Sequence, residues 1–182
     1  GVKTEVRRLP ESYTGAASIF LEESSGNNAI IICPGAAATL SPADIEVVGD
    51  VIRAASVFVT QLEQPLPAAR RALEIAREAG VTTVLNPAPA AQLDTGLYSL
   101  CDYLTPNETE AEDLTGIKVS SAKEARPAAQ ALMDKGAGAA IITLGEQGAY
   151  LHNDEVSELC PAFEFAPVVE TTGAGDLPPG FG

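Results

Sequence analysis

The sequence has no tryptophan, one histidine and one methionine, and aromatic residues make up 5% of its 182 positions. Positive charge is scarce too. There are 11 Lys and Arg against 25 Asp and Glu, a formal net charge of −14. A nucleic-acid surface needs basic side chains in patches. Here Arg7–Arg8 and Arg70–Arg71 stand as isolated pairs, so no nucleic-acid partner is expected. No apolar run approaches the roughly 20 residues of a membrane-spanning helix. The opening Gly1-Val2-Lys3-Thr4 lacks signal-peptide character, so no membrane partner is expected either. The three cysteines, Cys33, Cys101 and Cys160, are odd in number, widely spaced and free of any C-x-x-C pair. That argues against a zinc or disulfide framework and for a cytoplasmic location. Neither a Walker A sequence nor G-x-G-x-x-G occurs, which excludes the standard P-loop and dinucleotide-binding routes.

What is there is globular. Hydrophobic residues make up 46% and charged residues 20%, and the length suits a single substantial core. Ala16–Leu21 and Ala29–Cys33 are strand-like, and the turn residues between them, 22–28, make the pair a β-hairpin. Ser41-Pro42 then opens a helix on which Ile45, Val48, Ile52 and Ala55 share a face. Val57–Gln61 is a short strand. Pro67 opens the next helix, with Leu66, Ala69, Leu73 and Ala76 as its apolar stripe and Gly80 at its end. Val81–Leu85 is strand, and Asn107–Leu114 is helix up to Gly116. Ser121-x-x-Glu124 has the spacing of a capping box for a helix running toward Lys135, which Pro127 should kink or delay. Ala139–Leu144, Ala149–His152 and Glu155–Leu159 are strands, the late ones antiparallel. This alternation predicts an α/β fold with a mostly parallel central sheet and helices on both faces.

Ligands of open α/β sheets sit beyond the carboxyl ends of the strands. Four segments fall there, Gln61–Glu63, Leu85–Pro89, Thr143–Gly148 and Thr171–Asp176, and Thr105–Glu112 joins them as a candidate. Thr171-Thr172-Gly173-Ala174-Gly175-Asp176 combines small residues, whose amides can converge on an anion, with a carboxylate that can accept a proton from an attacking hydroxyl. It is equally a glycine-rich turn with a helix-capping Asp. In Thr105–Glu112, Asn107 and Glu110 have capping-box spacing, or they face a Mg²⁺ shell. Thr143-Leu144-Gly145-Glu146-Gln147-Gly148 is a hairpin turn, or a backbone edge approaching a nucleotide. Glu63 follows an apolar strand, where it could bind sugar hydroxyls or lie in a solvated loop. Asn86-Pro87-Ala88-Pro89 is a rigid exit from a strand. His152 belongs to a late strand and is expected to be structural.

Together these segments, with Gln61-Leu62-Glu63, Leu85–Ala90, Thr105–Gly116 and Ile141–Gly145, resemble in order and spacing the PfkB-type carbohydrate kinases, most narrowly their ribokinase branch. The resemblance implies a ribokinase-like fold. Residues 1–36 would belong to a small β lid and its connections, and 37–182 to a partial α/β kinase domain. It implies ATP-dependent phosphorylation of D-ribose at its 5-hydroxyl, with another sugar or a nucleoside (fructose, adenosine) as the alternative acceptor. A non-catalytic nucleotide-binding or interaction module is the rival of another class. Asp176 matches the catalytic base and a substrate contact. Gly173, Ala174, Gly175 and Asp176 match the anion hole. Asn107, Thr143, Leu144, Gly145, Glu146, Gln147, Gly148 and Gly175 match nucleotide-binding positions. Glu63 matches a ribose contact, Glu110 a Mg²⁺ position, and Glu170 with Thr172 a K⁺ site. A homodimer through the lid is also implied. The family's N-terminal sugar-binding segment and C-terminal helices have no match here, so the chain is expected to be an inactive or poorly active piece. Pro178 and Pro179 stand where the family continues as a helix.

Overall fold

A computed structural model of the chain describes residues 1–22 and 28–163. Two sheets form. The first pairs β1 (Thr14–Leu21) with β2 (Asn28–Gly35) in antiparallel register, Ala16 opposite Cys33 and Phe20 opposite Ala29. This is the expected hairpin. Ile19, Phe20, Leu21, Ile30, Ile31 and Ile32 all remain exposed on it.

The second sheet has six strands in chain order: β3 (Val57–Thr60), β4 (Thr82–Leu85), β5 (Tyr103–Leu104), β6 (Ala139–Thr143), β7 (Ala149–His152) and β8 (Ser157–Cys160). β3 to β6 run parallel; β7 and β8 are antiparallel additions. Parallel strands are joined almost without exception by right-handed crossovers, which place the helices of strands added in one direction on the same side. The crossover helices α3 (Leu66–Glu78), α5 (Glu108–Thr115) and α6 (Ala122–Asp134) therefore gather on one face. Alternation along the strands marks that face. Leu85, Leu104, Ala140, Ile142 and Tyr150 are buried with Leu73, Leu114 and Leu132 in one core cluster. The α/β class and the mostly parallel sheet are as expected, and among the described residues the helices cover this one face. The opposite face keeps Val57 and Val59 exposed among the described residues.

The helix that Ser41 opens is divided into α1 (Pro42–Val47) and α2 (Gly49–Arg53). Its apolar stripe survives the break: Ile45, Val48, Ile52 and Ala55 pack with Ala72, Ile75 and Ala76 of α3 in a second cluster. Ser41 and Asp44 form a reciprocal cap on α1. α6 departs from expectation at its start. The Ser121 side chain caps nothing; Glu124 instead accepts from the amide and hydroxyl of Ser120, at 2.9 and 2.5 Å. α6 also begins at Ala122 and runs through Pro127, so the proline does not delay it. A short α4 (Thr95–Tyr98) precedes β5. No helix among the described residues is long and apolar enough to cross a membrane.

The fold rests on α6 and α3 sealing this face. Leu132 is fully buried. Leu132→Ala should lower unfolding free energy by about 2–5 kcal/mol, read as a fall in the urea midpoint at constant slope.

Candidate active site

The carboxyl ends of β3 to β6 lie in one line, and backbone bonds continue beyond the strands to hold them there. Asn86 N–H donates to the Thr60 carbonyl (2.9 Å), Thr105 N–H to Leu85 (2.9 Å) and Thr143 N–H to Pro106 (3.0 Å). Leu62 N–H donates to the Ala88 carbonyl at 2.8 Å, joining the loop after β3 to the loop after β4. All four candidate segments within the described residues leave from this line.

After β3, the Gln64 amide donates to Thr60 Oγ1 and to the Gln61 carbonyl, each at 2.6 Å, which folds the turn that presents Glu63. Glu63 itself is exposed. After β5, Asn107 caps α5. Its Oδ1 accepts from Glu110 N–H at 2.8 Å, while Glu110 Oε2 accepts from Asn107 N–H at 2.9 Å. The capping reading of the pair is therefore realised. Gly116, at φ 74°, ends the helix. The cap also settles which groups remain for a ligand. With Oδ1 turned to the backbone, the exposed Asn107 presents its Nδ2 donors outward, a match for phosphate oxygen rather than for a cation. Glu110 is 8% exposed. Burial pushes its carboxyl above the ordinary glutamate range and the Asp113 charge adds to this, against the opposing bond from Asn107 N–H.

After β6, Gly145–Gln147 forms one turn of 3₁₀ helix. Gly145 (φ 53°) and Gly148 (φ 104°) occupy the positive-φ positions that the hairpin reading requires. Leu144 N–H closes the turn on the Gly148 carbonyl at 2.8 Å, and the Gln147 amide donates to the Ser120 carbonyl at 3.1 Å. An added Cβ at Gly145 would lie 3.9 Å from Glu108 Oε1, so the β5 and β6 exits are close neighbours.

Glu170, Thr172, Gly173, Ala174, Gly175 and Asp176, together with Pro178 and Pro179, lie outside the described residues. The site is thus built here from Glu63, Asn107, Glu110 and the 143–148 turn. Gln64, which braces it, left no sequence signal, and Gln147 was singled out as part of the 143–148 segment but not for its bond to Ser120, because an amide's partners are set by tertiary placement.

Other titratable groups do not join the line. A cleft of 570 Å³ bordered by Arg77, Thr82, Asp102, Tyr103 and Asn153 opens at the opposite, amino ends of the strands. Asp102 there is tied to Arg77 and to Thr83 N–H. Burial alone would raise its carboxyl, but the Thr83 and Arg77 contacts outweigh that and hold it below the usual range. His152 is structural, as expected. Its Nε2 is 3.0 Å from Gln130 Oε1 and its Nδ1 is 2.9 Å from Ser157 Oγ. The amide oxygen only accepts, which assigns the proton to Nε2. Burial pushes the Cys101 thiol up to about 12, so it is no nucleophile.

Strand-end loops on a mostly parallel sheet, with a capped helix offering amide donors beside a buried carboxylate, form a candidate small-molecule site of the α/β type. Comparison with known proteins narrows the class. The profile of the pfkB family carbohydrate kinases matches residues 1–177, and the chain belongs to that family. It is 43% identical over 169 residues to a ribokinase of Staphylococcus aureus (strain COL), covering 93% of this chain and 55% of that protein. It is 39% identical over 174 residues to a deoxyribokinase of Salmonella typhi, covering 95% and 56%. A solved Arabidopsis thaliana ribokinase complexed with ribose and ATP superposes with a TM-score of 0.82 at 28% identity, covering 91% of this chain and 54% of that one. The chain spans about half the length of the curated relatives it matches.

The raised Glu110 carboxyl has a pH consequence. The folded state favours its protonated form, so stability is lost as pH rises from the ordinary glutamate range through the higher folded value. Glu110→Gln keeps an acceptor for Asn107 N–H and removes the titration. The variant should gain stability relative to wild type as pH rises above the ordinary glutamate range, seen as diverging urea midpoints.

Proposed function

We propose that this chain forms part of an ATP-dependent sugar kinase that transfers the γ-phosphoryl group of ATP to the 5-hydroxyl of D-ribose. The observation that supports it most is the line of four strand exits. Segments matched to sugar and nucleotide positions in the sequence leave neighbouring strands of one sheet edge. The ribose-and-ATP complex of the Arabidopsis relative, with the same fold, favours the same reading.

In this reading Asp176 takes the proton of the attacking hydroxyl as the new O–P bond forms and the β,γ-bridging P–O bond breaks, releasing ADP. The amides of 173–176 receive the equatorial oxygens of the transferring group. Glu63 holds sugar hydroxyls. Asn107, through its outward amide donors, and the 143–148 and Gly175 backbone hold the nucleotide. Magnesium keeps several waters and takes one or two carboxylates beside substrate phosphates. A single buried carboxylate at Glu110 suits that donor set, and among the described residues no cluster of three or more His, Cys, Asp or Glu competes with it. Bound Mg²⁺ would neutralise phosphate charge. Glu170 and Thr172 would hold K⁺. Free thiols at Cys33, Cys101 and Cys160 accord with a reducing cytoplasm.

The β1–β2 sheet acts as a lid and pairs with the lid of a second copy. A two-stranded sheet is marginal alone, and this one carries six exposed large apolar side chains from Ile19 to Ile32. Sedimentation should show a dimer that Ile31→Lys dissociates; an unchanged sedimentation coefficient for that variant removes the lid from the interface.

An ADP-release assay with ribose, deoxyribose, fructose and adenosine in Mg-ATP and K⁺ tests the activity. Ribose should give the highest kcat/KM, and Asp176→Asn should cost about 10²–10⁴-fold in kcat. Preference for deoxyribose would move the acceptor assignment to the second relative's substrate. Micromolar Mg-ATP binding without any turnover would leave a binding module.

A further inference from the structure

The turn after β3 is tied down in a way that neither the strand before it nor the helix after it requires. Asn86 N–H donates to the Thr60 carbonyl, so a parallel ladder continued past Thr60 would put Leu62 N–H on the Asn86 carbonyl. Leu62 N–H reaches Ala88 instead, two residues further along the neighbouring loop, at 2.8 Å. This is a contact between loops rather than more strand. On the helix side, α3 begins behind Pro65 without a side-chain cap, and the Gln64 side chain turns away from the helix end. Its Nε2 donates to Thr60 Oγ1 and to the Gln61 carbonyl, each at 2.6 Å, while Thr60 Oγ1 donates to that same carbonyl at 3.3 Å. A carbonyl oxygen only accepts, so chemistry fixes the orientation of the amide in this closed cycle. Thr60 and Gln64 are also the polar side chains lining an apolar groove of 240 Å³, walled among others by Leu40, Ile45, Phe58 and Ala68. Each satisfies the other where the groove wall is hydrocarbon. Between the two ties stands Glu63, exposed, with no hydrogen bond or ion pair to its carboxylate among the described residues.

We propose that Gln64 is the positioning residue of the sugar subsite: it locks the 61–64 turn so that the Glu63 carboxylate stands on a fixed backbone. The role of Glu63 as a sugar contact rests on the functional reading above; the clamp does not. A carboxylate on a preset turn bonds a hydroxyl without the cost of ordering that turn, and release of Gln64 returns the cost to sugar binding. The nucleotide turn leaves β6, three strands away from β3, so the effect is confined to the sugar. Gln64 thereby acts on acceptor affinity through Glu63 and through no contact of its own.

The test combines kinetics with amide hydrogen exchange on the full chain. Gln64→Met keeps the side chain's length, removes its donors and sets a thioether against the apolar groove. The KM for ribose should rise about fivefold or more, with kcat and the KM for ATP within about twofold of wild type. Exchange of the Leu62 amide should speed about tenfold. In a Glu63→Ala background, Gln64→Met should change the ribose KM by less than about twofold, because its effect passes through that carboxylate. A Gln64→Met protein with an unchanged ribose KM, even one with a lowered urea midpoint, overturns the proposal. So does unchanged exchange at Leu62, or an undiminished effect in the Glu63→Ala background. If Gln64→Met fails to fold, Thr60→Val removes the other half of the pair and is held to the same outcomes. If Glu63→Ala leaves the ribose KM unchanged, or the wild-type protein turns over no sugar, the functional reading fails. Exchange at Leu62 still decides whether Gln64 holds the turn.

Discussion

Everything the candidate site can do depends on backbone hydrogen bonds that outlast the strands. β5 contains only Tyr103 and Leu104, far too short to hold its neighbours by its own ladder. Thr105 N–H on Leu85 and Thr143 N–H on Pro106 extend the pairing past it. These bonds fix the exits of β4, β5 and β6 relative to one another before any side chain is considered. A site on such exits is placed by main-chain geometry, and its side chains need only short reaches. This is why the bracing glutamines sit so close to the strands: Gln64 bonds Thr60 and Gln61, the last residue of β3 and the one after it.

How much of this could be read from residues alone follows from what each feature depends on. The β1–β2 hairpin, α3 and α5 were legible because their signals are local: alternation, an apolar stripe, and Gly80 and Gly116 at positive φ past the helix ends. β5 and α4 were not legible, since two and four residues carry no period. The helix opened by Ser41 read as continuous because its stripe is continuous; Val48 and Gly49 break it without disturbing the face. At α6 the capping spacing was present in Ser121 and Glu124, yet Glu124 turned to Ser120, a choice between adjacent hydroxyls that spacing cannot make. In the candidate site, Asn107 and Glu110 were found because capping and ligand chemistry share one signature. The orientation of the Asn107 amide was not, because it is set by which atom the backbone occupies.

Charge shapes what the site requires. The chain carries −14, and Glu63, Glu108, Glu110 and Glu146 all stand on the strand exits or beside them. Long-range attraction cannot gather a polyanionic nucleotide onto such a surface. In the proposed reaction, affinity would have to come from short-range donors and from cations that arrive with the nucleotide. The outward Asn107 amide and the N-terminal turn of α5 are donors of that kind. The buried Glu110, already disposed to keep its proton, gains most from a cation, which would favour its ionised form.

That preference connects stability to ligand binding. Without a cation, an ionised Glu110 costs the fold, since burial opposes its charge. Asn107 N–H relieves part of this cost and the Asp113 charge adds to it. A cation bound near the carboxylate would remove the rest, so occupancy of the site and stability of the α5 cap would rise together. The cap is therefore more than a helix terminus. It holds a carboxylate in a place where folding alone disfavours its charge, and a cation bound there, as the proposed function requires, would relieve that disfavour.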